Sequence, residues 1–224
     1  MRKNGIIIAI DGPAGSGKST TARLVAKALN YIYIDTGAMY RAVTLYWLRS
    51  GKKLTETVME RLLPQIEISL REGEAGQIVL LNDEDVTNLL RNPEINQYVS
   101  PISAMQSVRE KLVTEQRRIG KDGGVVMDGR DIGTVVFPDA ELKIFLIASI
   151  SERARRRLLE LELQGISTNY DEIYSAIEKR DQYDSTRALS PLKKAPDAIE
   201  LDTTNLTIAE QCEIVLNYTK KYIG

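Results

Sequence analysis

Short runs of β-branched residues alternate with stretches of helical periodicity along most of this chain. Residues 6–10 form an unbroken apolar run, as in a parallel strand buried on both faces. Leu24, Val25, Ala28 and Leu29 then recur at helical spacing. A buried strand is therefore predicted to lead, through the residues between, into a helix.

The same alternation continues to the end of the chain. Further strands are predicted at 31–34, 124–127, 142–148 and 198–201. Helices are predicted at 38–49, 52 to about 64, 102–119, 151–164, 169–187 and 207–222. We expect Pro64 to stop the second of these, Pro101 to precede the third, Ser151 to cap the fourth and Gly165 to end it. Five strands alternating with helices predict an α/β fold with a five-stranded parallel sheet flanked by helices.

One segment departs from this pattern. Residues 65–71 alternate polar and apolar side chains, and a second such run at 77–81 follows a predicted turn at 73–76. This indicates a small antiparallel insert at about 63–96, too short to be an independent domain. We therefore expect one domain over residues 1–224.

The segment between the first strand and helix reads GPAGSGKST. Glycines there let the backbone turn its N–H groups toward an anion, and the helix start adds partial positive charge. A lysine in this pattern reaches the β- and γ-phosphates of a nucleotide, and the next hydroxyl binds Mg²⁺. The predicted phosphate-binding loop consists of Gly12, Pro13, Ala14, Gly15, Ser16, Gly17, Lys18, Ser19 and Thr20.

The amino-acid composition excludes several kinds of partner and catalytic site. The formal net charge of −1, with 27% charged residues, gives no basic excess for a nucleic-acid polymer. The chain has no histidine and one cysteine, Cys212, which excludes intrachain disulfides, CxxC pairs, His-based zinc sites and His-dependent nucleophilic triads. Cys212 lies in an amphipathic stretch and is expected to fill core space.

Targeting and switch motifs are not recognised in the sequence. The apolar run near the N-terminus is too brief for a signal segment, and no stretch approaches the length of a membrane helix, so we expect a soluble cytoplasmic protein. The NKxD and DxxG motifs of GTP-binding switches do not occur. The phosphate-binding loop therefore favours an ATP-dependent enzyme that acts on a small molecule.

Five motifs together resemble bacterial cytidylate kinases: GPAGSGKST, DTGAMYR at 35–41, SVREKL at 107–112, DGRDIGTVVFPDA at 128–140 and KRDQYDSTR at 179–187. The similarity runs from Ile6 through the last helix. It implies the fold of P-loop nucleoside monophosphate kinases, with the antiparallel insert in the monophosphate-binding part and a lid at about 151–166. It also implies transfer of a phosphoryl group from ATP to CMP or dCMP, with Mg²⁺, in a monomer.

The residues suit such a reaction. An acceptor phosphate with a second pKa near 6 is already largely anionic at neutral pH, so no catalytic base is needed. What the reaction requires is positive charge that brings two polyanions together. The chain has arginines at the expected helix starts and no imidazole, which matches this requirement.

The resemblance assigns the acceptor phosphate to Arg41 and Arg130. Arg180 and Arg187 are expected at phosphate groups and Asp184 at the ribose hydroxyls. A solvated i,i+4 ion-pair ladder is the alternative for these last three residues. The expected catalytic residues are Lys18, Arg130, Arg187 and Arg157.

Base recognition is assigned by the same resemblance to Asp131, which can accept a bond from the exocyclic amine of cytosine, and to Arg109. Ser100 would complete the contact, although Ser103 could supply the hydroxyl instead. A plain helix cap is the structural alternative for Asp131. The complete substrate-binding prediction is Thr36, Tyr40, Arg41, Ser100, Arg109, Arg130, Asp131, Arg180, Asp184 and Arg187.

The predicted metal site consists of Ser19 and Asp128, because Asp128 ends a strand where P-loop enzymes hold Mg²⁺. Asp35 is a weaker candidate, for metal or for a cap. At least one of the lid arginines 153, 156 and 157 is expected to reach the transferred phosphoryl group, although such a run is often only surface charge.

Two other functions remain open from the sequence. Another small-molecule P-loop kinase, for UMP, a sugar or shikimate, would share the phosphate-binding loop. The alternative from a different class is a nucleotide-binding regulator without turnover. The sequence argues against it because it retains the residues expected for catalysis: Lys18, Ser19, Asp128 and Arg130. Preference between CMP and dCMP is not set by any residue.

Overall fold

A computed structural model describes residues 3–73, 76–163 and 165–223. Its eight strands in the described ranges are Ile7–Asp11 (β1), Ile32–Asp35 (β2), Ile68–Gly73 (β3), Gly76–Leu81 (β4), Glu84–Asp85 (β5), Val125–Gly129 (β6), Leu142–Ile147 (β7) and Ile199–Asp202 (β8). The helices are Lys18–Leu29 (α1), Thr36–Ser50 (α2), Glu56–Leu62 (α3), Pro93–Ser103 (α4), Gln106–Gly120 (α5), Ile150–Leu163 (α6), Tyr170–Thr186 (α7) and Ile208–Ile223 (α8).

The main sheet has the strand order β2-β6-β1-β7-β8. The β1–β6, β1–β7 and β7–β8 pairs are parallel. In this order β1 has a neighbour on each side, and all five of its residues are buried. The predicted α/β fold with a five-stranded parallel sheet is thus confirmed. All of these strands end at the same edge of the sheet, where ligands of such folds bind.

By its internal contacts the chain divides into two compact units. One contains the residues up to 32 together with those from 122 onward, and the other contains residues 33–121. The phosphate-binding loop, β6 and α7 belong to the first unit. The helices α2, α4 and α5 belong to the second unit, together with the small sheet.

The second unit has its own apolar core. Met39, Val43, Met59, Ile102 and Leu112 are fully buried in it. Its small sheet has the order β3-β4-β5 with antiparallel pairing, which confirms the predicted antiparallel strands. The predicted turn at 73–76 is described only at its ends, because residues 74 and 75 lie outside the described residues.

The predicted single helix at 102–119 is wrong. The structure has two helices there, and Pro101 lies inside α4 rather than before a helix. Asn92 caps α4 through Glu94 N at 2.8 Å, with Pro93 at the first helical position, where a missing N–H is tolerated. Because Pro101 also lacks an N–H, it weakens the last turn, and α4 ends two residues later.

Other helix boundaries also differ from the predictions. The helix predicted at 52–64 begins only at Glu56, after its cap Thr55, and Pro64 lies in a separate 3₁₀ turn. Ser149 caps α6 through Glu152 N at 3.2 Å, so Ser151 is not the cap. Gly165, in the left-handed region at φ 72°, follows α6 as predicted, and residue 164 lies outside the described residues.

Cys212 is buried on α8, with its sulfur 4.0 Å from the Thr21 carbonyl oxygen. Burial raises the pKa of the thiol. The burial of the side chain confirms that Cys212 fills core space.

Candidate active site

The phosphate-binding loop joins the end of β1 to the start of α1. Its glycines adopt positive φ angles of 146° at Gly12, 77° at Gly15 and 91° at Gly17, which side chains disfavour. A Cβ atom on Gly12 would lie 2.0 Å from the carbonyl oxygen of Leu146 on β7. Glycine is therefore required at position 12, because the loop backbone passes too close to β7 for a side chain to fit. The loop presents the start of α1 and its N–H groups to an anion.

Lys18 is 5% exposed, and its ammonium donates to the Pro13 carbonyl at 2.6 Å and lies 3.4 Å from Ser16 Oγ. Burial lowers the pKa of Lys18 well below its usual value; Arg130 lowers it further, while Asp128 and Asp11 oppose the shift. The ammonium is thus held inside the loop at an electrostatic cost. A phosphate bound in the loop would offset that cost.

Ser19 and Asp128 meet across the end of the sheet. Ser19 Oγ donates to Asp128 Oδ2 at 2.8 Å, and Asp128 is buried on β6. This pair fits Mg²⁺, which P-loop proteins hold through the loop hydroxyl and an acidic residue at a strand end. In the described part of the chain, no three His, Cys, Asp or Glu side chains form a cluster that could hold a metal alone. The metal would therefore need oxygens from a bound nucleotide as well.

Asp184 on α7 is the centre of a buried charge cluster. Its Oδ2 accepts from Arg130 Nε at 3.0 Å and lies 3.8 Å from Arg180 Nε. Asp184 is only 3% exposed. Of the alternative ion-pair ladder, the i,i+4 pair of Arg180 and Asp184 is present, but its carboxylate is buried, and Arg130 joins it from the residue after β6. Two guanidinium groups thus share one buried carboxylate beside the phosphate-binding loop.

Arg187 does not share the helix with Arg180 as predicted. Helix α7 ends at Thr186, and Arg187 has extended backbone angles. Its Nε donates to the Ser190 carbonyl at 2.7 Å, and the residue is buried. Arg187 is therefore positioned by the loop that follows α7, not by helical spacing.

Asp131 lies two residues after the end of β6 and is buried. Among the described residues, its carboxylate makes no capping bond to the π-helical turn at 132–136. The helix-cap alternative for Asp131 is therefore wrong.

In the second unit, Asp35 caps α2, since its Oδ1 accepts from Ala38 N at 2.9 Å. Arg41 Nη1 lies 4.0 Å from Asp35 Oδ2. Helix α2 begins at Thr36, two residues before the predicted start, and Arg41 lies in its second turn. The contacts of Asp35 favour a cap over a metal ligand.

Arg109 on α5 is buried against Tyr40 of α2. Its Nη1 donates to Tyr40 Oη at 3.3 Å and to the Ser103 carbonyl at 3.3 Å, and its guanidinium lies 5.9 Å from the centre of the Tyr40 ring. Ser103 Oγ donates to the Ser100 carbonyl at 2.9 Å. Tyr40, Arg109 and the end of α4 therefore form one polar group in this unit, with Thr36 buried at the start of α2.

The three lid arginines have different partners. Arg153 is buried, and its Nη1 donates to the carbonyl of Ala14 in the phosphate-binding loop at 3.2 Å. Its Nη2 lies 2.6 Å from Asp181 Oδ2 on α7. Arg156 donates to the Thr203 carbonyl at 2.5 Å, and Arg157 pairs with Glu160 at 2.7 Å. The contact of Arg153 with the loop was not predicted, since nothing in a run of arginines shows which one turns inward.

A buried lysine inside a glycine loop, between a parallel strand and a helix, with a hydroxyl–carboxylate pair beside it, defines a P-loop nucleotide-binding protein. Residues 8–221 match the sequence model of the family described as cytidylate kinase. The chain belongs to the cytidylate kinase family. No helix in the described ranges is long and apolar enough to cross a membrane.

Relatives cover nearly the whole chain. It is 50% identical over 223 residues to a cytidylate kinase of Geobacillus sp. (strain WCH70), which covers 99% of this chain and 100% of that protein. It is 53% identical over 204 residues to a cytidylate kinase of Carboxydothermus hydrogenoformans, and this match covers 91% of this chain and 92% of that protein. Among solved structures, a gluconokinase from Sinorhizobium meliloti 1021 has a TM-score of 0.51 at 15% identity. The match covers 99% of this chain and 94% of that protein. That last likeness shows the fold alone.

Proposed function

We propose that this protein transfers the γ-phosphoryl group of ATP to CMP or dCMP, giving ADP and CDP or dCDP. The observation that carries the proposal is the buried Lys18 within the phosphate-binding loop, next to the 2.8 Å pair of Ser19 and Asp128. Membership of the cytidylate kinase family supports the acceptor. We further propose that the protein acts as a monomer in the cytoplasm, where these nucleotides are made and used.

The phosphate-binding loop would hold the donor. Backbone N–H groups of residues 12–20, except that of Pro13, which has none, would bind the ATP phosphates at the start of α1. The Lys18 ammonium would neutralise charge at the β- and γ-phosphates. Ser19 and Asp128 would hold Mg²⁺, which would neutralise negative charge that develops on the phosphates. These groups are already positioned, so little reorganisation is needed during the reaction.

The acceptor needs no protein base. Its phosphate oxygen is largely ionised at neutral pH, because the second pKa of a phosphate monoester is near 6. The problem to be solved is repulsion between two polyanions. We assign Arg41 and Arg130 to the acceptor phosphate, since a planar guanidinium binds two oxygens at once. We assign Arg180 and Arg187 to phosphate groups, and Arg157 to the transferred phosphoryl.

The remaining roles concern the nucleoside. Asp184 would accept from the ribose hydroxyls, which requires its present arginine partners to turn toward phosphates when these bind. Asp131 would accept from the exocyclic amine of cytosine, and Arg109 would donate to the cytosine acceptor atoms. Ser100 or Ser103 would complete the base contact, and Thr36 and Tyr40 would line it.

ADP release in a coupled assay tests the proposal, with CMP, dCMP, UMP and AMP compared as acceptors at equal concentration. Turnover with CMP or dCMP should exceed that with UMP and AMP. Turnover with UMP or AMP far above that with CMP would contradict the base assignment. ATP binding without any acceptor turnover would favour a nucleotide-binding regulator.

Replacing Asp131 with alanine should impair cytosine nucleotides selectively. The buried carboxylate is the predicted partner of the cytosine amine, so its loss should lower kcat/KM for CMP by about 10²-fold and that for UMP far less, since sites built to bond a polar group discriminate strongly. The measurement is kcat/KM for both acceptors. An equal loss for both would show that Asp131 is structural.

A further inference from the structure

Asp11, the last residue of β1, is a buried charged group with no part in the donor or acceptor contacts proposed above. It is 5% exposed. Its Oδ1 accepts from Ile132 N at 2.8 Å, and its Oδ2 accepts from Gly133 N at 2.8 Å. Both oxygens thus bind consecutive backbone N–H groups of one segment, more than a hundred residues away in the chain.

Those N–H groups belong to the two residues directly after Asp131. The segment then forms a π-helical turn, in which Val135 N and Val136 N both donate to the Asp131 carbonyl, at 2.9 and 3.2 Å. Fixing residues 132 and 133 therefore fixes the backbone on the C-terminal side of Asp131. On the N-terminal side, Gly129 is paired with Asp11 itself in the β1–β6 register. Asp11 thus contacts the segment on both sides of Arg130 and Asp131.

Lys143 of β7 holds the same segment further along. Its buried ammonium donates to the Pro138 carbonyl at 2.5 Å and lies 2.8 Å from Asp197 Oδ2. A Cβ on Gly133 would lie 3.2 Å from the Lys143 side chain and 3.4 Å from Asp11 Oδ2. The segment therefore rests directly on Asp11 and Lys143, with no room for a side chain at position 133 without displacement.

Holding a carboxylate in this place is costly to the fold. Burial raises the pKa of Asp11 from 3.8 to about 7; the two backbone N–H groups and Lys18 lower it, and Asp131 raises it. When the pKa of an Asp is higher in the folded protein than in the unfolded chain, the stability of the fold falls as the pH rises from the unfolded to the folded pKa. The contribution of such an Asp to stability is therefore smallest above its folded pKa. Asp11 is therefore not explained by its contribution to stability at pH 8, where it is ionised.

We propose that Asp11 is a positioning residue for acceptor selection: it fixes the backbone of residues 129–133 so that Arg130 and Asp131 meet the acceptor correctly. The inference rests on the proposed function, because it acts through the assignment of Asp131 to cytosine. Two short bonds to adjacent N–H groups restrict both translation and rotation of the segment. Small errors of placement at a reacting group have large effects on rate.

The test is Asp11→Asn, which keeps the shape of the side chain but leaves it one acceptor oxygen for two backbone N–H groups. One of the two hydrogen bonds is lost, because the amide NH₂ then faces a backbone N–H, and both are donors. The kcat/KM for CMP should fall by about tenfold or more, and the CMP-to-UMP ratio should fall by a similar factor. KM for ATP should change by less than about twofold, because the donor loop keeps its own contacts. Gly133→Ala disturbs the same contact from the other side and should lower the same ratio, even if the first variant folds poorly.

A double-mutant cycle with Asp131→Ala separates positioning from general damage. Asp11→Asn should lower the CMP-to-UMP ratio in the parent protein but hardly change it when Asp131 is alanine, since residues acting through one another are not additive. The control is Asp85→Asn, in which an exposed carboxylate that accepts from Thr87 N at 2.9 Å undergoes the same chemical change. Its CMP-to-UMP ratio should equal that of the parent.

The outcomes are distinguishable. If Asp131→Ala lowers the ratio and Asp11→Asn does not, the positioning role is overturned and the proposed function stands. If Asp11→Asn raises KM for ATP and lowers turnover equally for every acceptor, Asp11 acts on the phosphate-binding loop, which also overturns the inference. If the parent itself does not prefer CMP, the proposed function fails and the inference fails with it.

Discussion

Replacing Lys18 with methionine should lower kcat/KM for phosphoryl transfer by about 10³-fold, equivalent to about 4 kcal/mol of transition-state stabilisation. Methionine is close to lysine in length and removes the ammonium that would neutralise the donor phosphates, together with its bond to the Pro13 carbonyl. Because burial lowers the pKa of Lys18 well below its usual value, the charged form costs stability at neutral pH. The melting temperature without nucleotide should therefore not fall.

Steady-state kinetics and thermal unfolding of the same preparation check this prediction. Lys220→Met is the matched control, since Lys220 is exposed on α8, where its ammonium donates to Asn217 Oδ1 at 2.8 Å. Its kinetics should match the parent. A Lys18→Met protein that kept most of its activity would contradict the assignment of the donor phosphates to this loop.

Arg130→Ala should lower kcat/KM for CMP by about 10²-fold, the usual effect of removing one group that stabilises transition-state charge. Arg130 directly follows β6, and Asp184 holds its guanidinium at 3.0 Å, so the group is already ordered before a phosphate binds. Arg130→Lys should recover only part of the loss, because an ammonium keeps the charge but cannot bind two oxygens in one plane.

The comparison variant is Arg155→Ala, on α6. Arg155 is an exposed arginine paired with Glu152, and Glu152 retains Arg156 as a partner when Arg155 is removed. This variant should match the parent in kcat and in KM for CMP. If Arg130→Ala and Arg155→Ala had equal, small effects, Arg130 would be only a partner of Asp184.

The strands and the phosphate-binding loop could be predicted because their causes are local. A run of buried β-branched residues has few alternatives to a parallel strand, and the loop conformation depends on Gly12, Gly15 and Gly17 themselves. The Asn169 cap of α7, which bonds Glu172 N at 2.8 Å, is equally local. Features set within a few residues can be predicted from the sequence.

Helix boundaries near proline and serine were less predictable. Pro101 was expected to precede a helix, but it lies in the last turn of α4, because Asn92 caps that helix and Pro93 begins it eight residues earlier. Ser149 and Ser151 are equally good caps by composition, and only the end of β7 decides between them. In both cases two local signals compete, and the neighbouring element selects one.

Contacts between distant residues could be predicted only where a motif assigns both partners to one site, as for Ser19 and Asp128. The bonds from Asp11 to Ile132 and Gly133, and from Arg153 to Ala14, join segments more than a hundred residues apart. Their side chains carry no pattern that names the partner. The family resemblance gave Asp11 no role and placed Arg153 only among three lid arginines, because the contacts of both residues depend on tertiary packing.

The central claim is that guanidinium groups, and not a protein base, allow one nucleotide's phosphate to attack another's. It is tested by single-turnover transfer to CMP in H₂O and in D₂O, using Arg130→Ala so that the chemical step is slow enough to be observed. If the attacking oxygen carries no proton, as we predict, the two rate constants should be nearly equal. A rate clearly slower in D₂O would show a proton in flight at the transition state and contradict the account.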